Sequence, residues 1–215
     1  MGQLDRTKIG FFRKRAIRQA LRRREDRLPI NLWNGVRITK LPADCFAIHT
    51  LLHRCRPQVV VELGSSLGGS AAFISSFAAA AGIEQIVSLD IGTWERPSLD
   101  RVQWIVGDDT SEAVVAQVRS IVGSKSCSLI IDADHHAPHV AKELALYGGM
   151  ITPGQALVLE DTHVDVLNFR KFRVEGGPLR AAQAWLPAHP DFRLVPDIEP
   201  YVTTNPFGYW RRDAN

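Results

Sequence analysis

The sequence predicts an α/β fold in which helices cover both faces of one open, mostly parallel sheet that closes with an antiparallel strand. Three observations predict it. Short apolar runs recur at Val59–Val61, Ile86–Asp90, Val102–Val106, Ser128–Asp132 and Ala156–Asp161, separated by stretches of helical length. All five lead into polar, acidic or glycine residues at the carboxyl edge, the place where open α/β sheets hold ligands. The segments Phe192–Val195 and Thr203–Arg212, the latter with Phe207, Tyr209 and Trp210, then read as a closing antiparallel hairpin.

Taken in order, the chain opens on a basic arm. Residues 1–27 hold ten Lys or Arg and three acids, a net of +7, so the rest carries about −4 of the total +3. GFFRKRAIRQALRRRED can form a helix with Phe12, Ala16, Ile17, Ala20 and Leu21 near one face and arginines round the others. Three uses compete: a helix docked on its own or a partner subunit, an anchor on an anionic membrane through residues 6–27, and nucleic-acid contact, of which the last is the weakest. Residues 1–28 are therefore set apart as a helical extension and 29–215 as one domain, with a homo-oligomer expected through the amino-terminal helices. The piece PADCFAIHTLLHRC is expected to be a helix opened by Pro42, with Phe46, Ala47, Leu51 and Leu52 inward. His49 and His53 lie four apart on it, a metal-compatible spacing that lacks a third ligand nearby and reads better as a structural pair.

Val59–Ser70, VVVELGSSLGGS, is a buried strand handed through a glycine turn to the Ala-rich helix AAFISSFAAAAG. The turn departs from the dinucleotide GxGxxG pattern, because Ser65 and Ser66 follow Gly64 and the next glycine is Gly68. It fits a nucleotide-type cofactor or a plain tight connection. The second strand favours the former, since its final Asp90 stands where such sheets offer a carboxylate to a ribose. The third strand runs into Gly107-Asp108-Asp109. The fourth ends in DADHH and the fifth in Glu160-Asp161, so Asp132, Glu160 and Asp161 would meet across adjacent strand ends and offer hard oxygen ligands to a divalent cation. In the competing structural reading, Asp132 and Asp161 cap helices and Glu160 pairs with an arginine. His135 is on the same rim, where a neutral imidazole could take a proton from a metal-polarised hydroxyl; His136 and His139 compete for that role, and Asp134 could orient a histidine or join the metal shell. Thr162–Pro178 has little periodicity and reads as a lid or substrate loop ahead of the helix LRAAQAWLPAH.

Taken together, WNGVRITKLPAD, VVVELGSSLGGSA, IVSLDI, VGDDTS, IIDADHHAPHV, LVLEDT, GGPL and TTNPFGYWRR resemble the metal-dependent O-methyltransferases grouped as the cephalosporin hydroxylase family, which includes rhamnosyl O-methyltransferases. The resemblance spans roughly residues 30–212. It implies the Rossmann-like class I methyltransferase fold, with six parallel strands and an antiparallel seventh. It also implies transfer of a methyl group from S-adenosyl-L-methionine to a hydroxyl oxygen of a small-molecule or glycosyl acceptor. Carried over by position, Glu62, Gly64, Ser65, Gly68 and Ser70 belong to the cofactor turn, Asp90 to the ribose, and Asp108 or Asp109 to the adenine edge. Asp132, Glu160 and Asp161 match the ligands of a metal that is commonly Mg2+, and His135 matches the general base, with His136 its neighbour in the doubled histidine.

Other classes fit less well. A nicotinamide-dependent oxidoreductase would want GxGxxG and a Tyr-xxx-Lys pair, and an iron hydroxylase a two-histidine triad on antiparallel strands. A non-catalytic, membrane-associated scaffold with the same fold would leave the carboxylate cluster without metal. Cys45, Cys55 and Cys127 form no CxxC pair and no disulfide framework, no apolar run approaches a membrane span, and a cytoplasmic setting, peripheral at the membrane if the arm binds lipid, is expected.

Overall fold

The computed structural model describes residues 9–27 and 31–214, so the expected boundary between arm and domain, and residues 6–8 of the arm, lie outside the described part. Helix α1 (Phe11–Arg27) precedes a two-stranded hairpin, β1 (Leu32–Trp33) and β2 (Val36–Arg37), turned by Asn34-Gly35 with both residues at positive φ. There follow α2 (Pro42–Cys55), β3 (Val59–Leu63), α3 (Gly69–Ala81), β4 (Gln85–Asp90), β5 (Val102–Val106), α4 (Glu112–Val122), β6 (Cys127–Ile131), α5 (Ala137–Tyr147) and β7 (Ala156–Leu159). A short α6 (His163–Val166), α7 (Pro178–Trp185), β8 (Phe192–Leu194) and β9 (Tyr209–Arg212) complete the chain.

Seven strands form one sheet in the order β5-β4-β3-β6-β7-β9-β8. The expected fold class holds: the pairs from β5 through β7 are parallel, and β9 runs antiparallel to both β7 and β8. The closing strand is shorter than expected and is inserted inside the edge, while Thr203–Phe207 forms a loop that reaches back to the strand ends. The register levels the carboxyl ends, with Leu63 opposite Leu89 and Ile131, and Ile131 opposite Leu159. Residues 64, 90, 132 and 160 therefore share one rim, and the chain reverses its winding between β3 and β6, the crevice where such sheets bind ligands.

Alternation along the strands divides the core in two. Val59, Val61 and Leu63 pack with Val118, Val140, Leu144 and Tyr147 from α4 and α5, whereas Val60, Ile86, Ile130 and Val158 face Ile48, Leu51, Leu52 and Ile74 from α2 and α3. Helix α2 has its expected bounds, but Phe46 points outward at 75% exposure. The buried stripe is Ala47, Ile48, Leu51, Leu52 and Cys55, and Phe46 stands about 100° round the axis from its neighbour Ala47. Phe12 on α1 is likewise outward, at 78% exposure, because Ile17 and Leu21 with Ile9 supply the docked face against Leu167. Arg13 fastens that helix to the body, ion-paired with Glu199 and donating to the carbonyls of Pro200 and Tyr201. Among the described residues no helix is long and apolar enough to cross a membrane.

Candidate active site

Gly64 ends β3 at φ +94°, and a Cβ there would lie 2.2 Å from the carbonyl oxygen of Asp132. Only glycine lets the turn close on the neighbouring strand end. The backbone N–H groups of Gly64 and Ser65 donate to Leu89, and Gly68, at φ +87°, lies against Trp104 as the N-cap of α3. Asp90 locks this turn from the next strand, its carboxylate accepting from the N–H of Ser66 at 2.6 Å and of Gly92 at 2.7 Å. Ser65 is buried with its hydroxyl unpartnered among the described residues. Glu62 lies deeper: fully buried in mid-sheet, it accepts from the hydroxyls of Ser70 and Ser88, and burial raises its pKa against the opposing pull of Lys40.

In front of the turn is a cavity of about 530 Å³. Five aspartates line it, Asp90, Asp108, Asp109, Asp132 and Asp134, against a single lysine, Lys171, which arrives with Phe172 from the connection after β7. A smaller cleft of about 220 Å³ adjoins it, bounded by Arg37, Lys40, Ser65, Ser70 and Asp132. Asp108 is exposed and turned back on itself, accepting from the N–H and hydroxyl of Thr110, which holds its pKa below the usual range.

At the ends of β6 and β7 the structure gathers Asp132, His135 and Asp161, whose nearest ligand atoms all lie within 4.8 Å of one another. His135 Nε2 is 3.2 Å from Asp161 Oδ2. Asp161 takes a left-handed backbone, φ +55°, which aspartate tolerates and which turns its carboxylate onto the rim. Glu160 is drawn elsewhere. One oxygen is 2.9 Å from Lys40 Nζ and the other accepts from Asn205 Nδ2 at 2.7 Å, while burial pushes its pKa up to about 8 with Lys40 opposing. Lys40 also donates to Asp132 at 2.7 Å. Burial works against its charge, and Asp132, Glu160 and Glu62 outweigh that effect, so its pKa stands well above the usual value.

The doubled histidine is divided by its surroundings. His136 is held by Asp134, with Nδ1 at 2.6 Å from Oδ1 and its ring 4.9 Å from that of Phe172, whereas His135 faces Asp161 and the cavity. His139 lies one turn further on, 3.1 Å from Asp109. His49 and His53 take no part in this cluster; they pack on each other with ring centroids 4.1 Å apart and on Phe77.

Several residues important to the rim were not singled out by spacing. Lys40 arrives on the loop after the β1–β2 hairpin, and that hairpin was announced by Asn34-Gly35 between apolar neighbours. Asp44, fully buried on α2, accepts from the N–H and hydroxyl of Thr204, from Thr203 and from Tyr209, and so fixes the loop that carries Asn205. Asn205 in turn accepts from the Asp161 N–H at 2.8 Å and donates to Glu160. An acid on the apolar stripe of α2 was the readable signal.

A family model, Rhamnosyl O-methyltransferase/CmcI, matches residues 30–213. The curated rhamnosyl O-methyltransferase of Mycobacterium leprae is 28% identical over 162 residues, 71% of this chain and 69% of that protein. A protein of the same description from Mycobacterium tuberculosis is 24% identical over 144 residues, 63% of this chain but only 56% of its own length. Among solved structures, CmcI with Mg and SAM aligns at a TM-score of 0.64 and 20% identity, covering 90% of this chain and 84% of that one.

Proposed function

The chain belongs to the Rhamnosyl O-methyltransferase/CmcI family, and from that premise we propose that it transfers a methyl group from S-adenosylmethionine to a hydroxyl oxygen of a glycosyl acceptor, with a divalent cation at the strand rim. The observation that carries this reading is the cavity with five aspartates, opening beside the Asp132–His135–Asp161 cluster. Such a lining favours a cationic sulfonium ligand and opposes the pyrophosphate of a nicotinamide dinucleotide.

Bound there, S-adenosylmethionine supplies an electrophilic methyl group on a positively charged sulfur. The residues fit it: the Ser65 hydroxyl is buried and unpartnered among the described residues, Gly64 brings bare backbone to the cavity while Gly68 starts the helix behind it, and Asp90 stands at the end of β4 as a ribose acceptor. Asp108 is the exposed acid at the adenine end. Glu62 and Ser70 act from behind, bracing the turn through their mutual hydrogen bond. A magnesium ion would be held by Asp132, Glu160 and Asp161, and it would supply Lewis acidity to the acceptor hydroxyl. His135 receives the hydroxyl proton on its imidazole, and the Asp161 carboxylate, 3.2 Å from Nε2, stabilises the imidazolium that results. Lys171 and Phe172, from the connection after β7, complete the lining of the cavity. In this reading residues 29–215 form the catalytic domain and the basic arm is its docked extension.

The test is incubation with methyl-labelled S-adenosylmethionine and a panel of rhamnosyl glycosides, with Mg2+ or with EDTA. Label on a sugar hydroxyl, lost in His135→Ala while cofactor affinity is kept, supports the proposal. Turnover unaltered in His135→Ala contradicts the assignment of the base, and turnover unaltered by EDTA contradicts that of the metal.

A further inference from the structure

A second constellation stands on the far wall of the cavity, at the end of β5 and on the first turns of α5. His139 and Glu143 are four residues apart on α5 and project toward Asp109, with His139 Nε2 at 3.1 Å from Asp109 Oδ1 and 3.7 Å from Glu143 Oε1. We propose that Asp109, His139 and Glu143 form a site for a divalent transition-metal ion of the Zn2+ type, distinct from the Asp132–Asp161 rim.

Three features support it. First, ligands at about 2.0–2.2 Å round a tetrahedral ion stand about 3.3 Å from one another, and these donors already lie 3.1 and 3.7 Å apart. Second, Glu143 is 0% exposed, and neither of its oxygens has a hydrogen-bond partner among the described residues; the same holds for Asp109 Oδ1 and His139 Nε2. Among the described residues, these four polar atoms therefore face one another and no side chain outside the cluster satisfies them. Third, one imidazole with two carboxylates is a donor set that borderline ions accept, and His139 and Glu143 stand four apart on one helix face, the spacing that brings two ligands of one helix together. Without an ion, the cluster must hold a proton instead, and the burial and neighbouring acids that raise the Glu143 pKa to about 10 are consistent with that exchange.

The ion would tie the end of β5 to α5. The Tyr147 hydroxyl already donates to the Asp109 carbonyl at 2.6 Å, setting the backbone, and His139, a quarter exposed, leaves the fourth position open to the cavity. Asp109 would then be engaged by metal, which leaves Asp108 alone to meet an adenine edge.

Co2+ titration of tag-free, chelator-stripped protein, followed by visible absorption, tests this. The expected result is a tetrahedral-type band that Zn2+ displaces, with affinity reduced at least about tenfold in both E143Q and H139A and retained in D132N. Circular dichroism melts establish that each variant is folded, and either of the two variants suffices. The absence of such a band, its persistence at full affinity in E143Q and H139A, or its loss in D132N would overturn the proposal.

Discussion

Replacing Glu143 by Gln should stabilise the metal-free protein, and increasingly so as pH rises. Glu143 is fully buried on α5, and desolvation, reinforced by Asp109, Asp134 and Asp132, pushes its pKa up to about 10 from an ordinary 4.5. Between those values the native chain keeps a proton that the unfolded chain has released. Stability therefore falls as pH rises from about 4.5 and levels off above about 10. At pH 8 the two states differ by 3.5 pH units, from 4.5 to 8, which at about 1.4 kcal/mol per unit is about 5 kcal/mol. At pH 5 the same reckoning leaves less than about 1 kcal/mol. Glutamine matches the shape of the protonated acid and can donate its amide N–H to Asp109 without ever having to bind a proton. Urea unfolding in EDTA at pH 5, 6, 7 and 8 should show a gain for Glu143→Gln that grows along the series toward about 5 kcal/mol. A gain independent of pH, or a variant less stable than the parent at pH 8, would refute the reasoning and show an ionised, well-paired Glu143.

Lys40→Met should cost about 3–5 kcal/mol in EDTA at pH 7, because it leaves the carboxylates of Asp132 and Glu160 without their buried cation; denaturant midpoints equal to the parent's would contradict this. Gly64→Ala puts a methyl group 2.2 Å from the Asp132 carbonyl at φ +94°, and a loss of at least about 2 kcal/mol together with weakened S-adenosylmethionine binding is expected, checked by melting and calorimetry. Asp132→Asn should abolish Mg2+-dependent turnover yet bind the cofactor with parental affinity; full activity in that variant would remove Asp132 from the metal site.

Much of this architecture was legible because parallel strands buried on both faces spell themselves out. Val59–Val61, Val102–Val106 and the apolar runs before Asp132 and Glu160 match their strands within a residue or two. Their polar ends marked the rim for the same reason, since a ligand-binding edge must interrupt apolar runs. What escaped depended on contacts between distant segments. The pairing of Lys40 with Asp132 spans 92 positions, and that of Asn205 with Glu160 spans 45, so no local period carries them. Phe12 and Phe46 were misplaced because a helix one residue out of phase still shows an apolar stripe, and only the partner surface decides which stripe is buried. His139 and Glu143 had the four-residue spacing of a ligand pair, but their third member, Asp109, is 30 residues upstream of His139.

The central claim is that the acidic cavity is built for a cationic sulfonium donor. Calorimetric titration of the purified protein with S-adenosylmethionine and with NADH, each with Mg2+ and with EDTA, tests it most directly. Micromolar binding of S-adenosylmethionine with no heat from NADH is the predicted result; preferential binding of NADH, or of neither ligand, would contradict it.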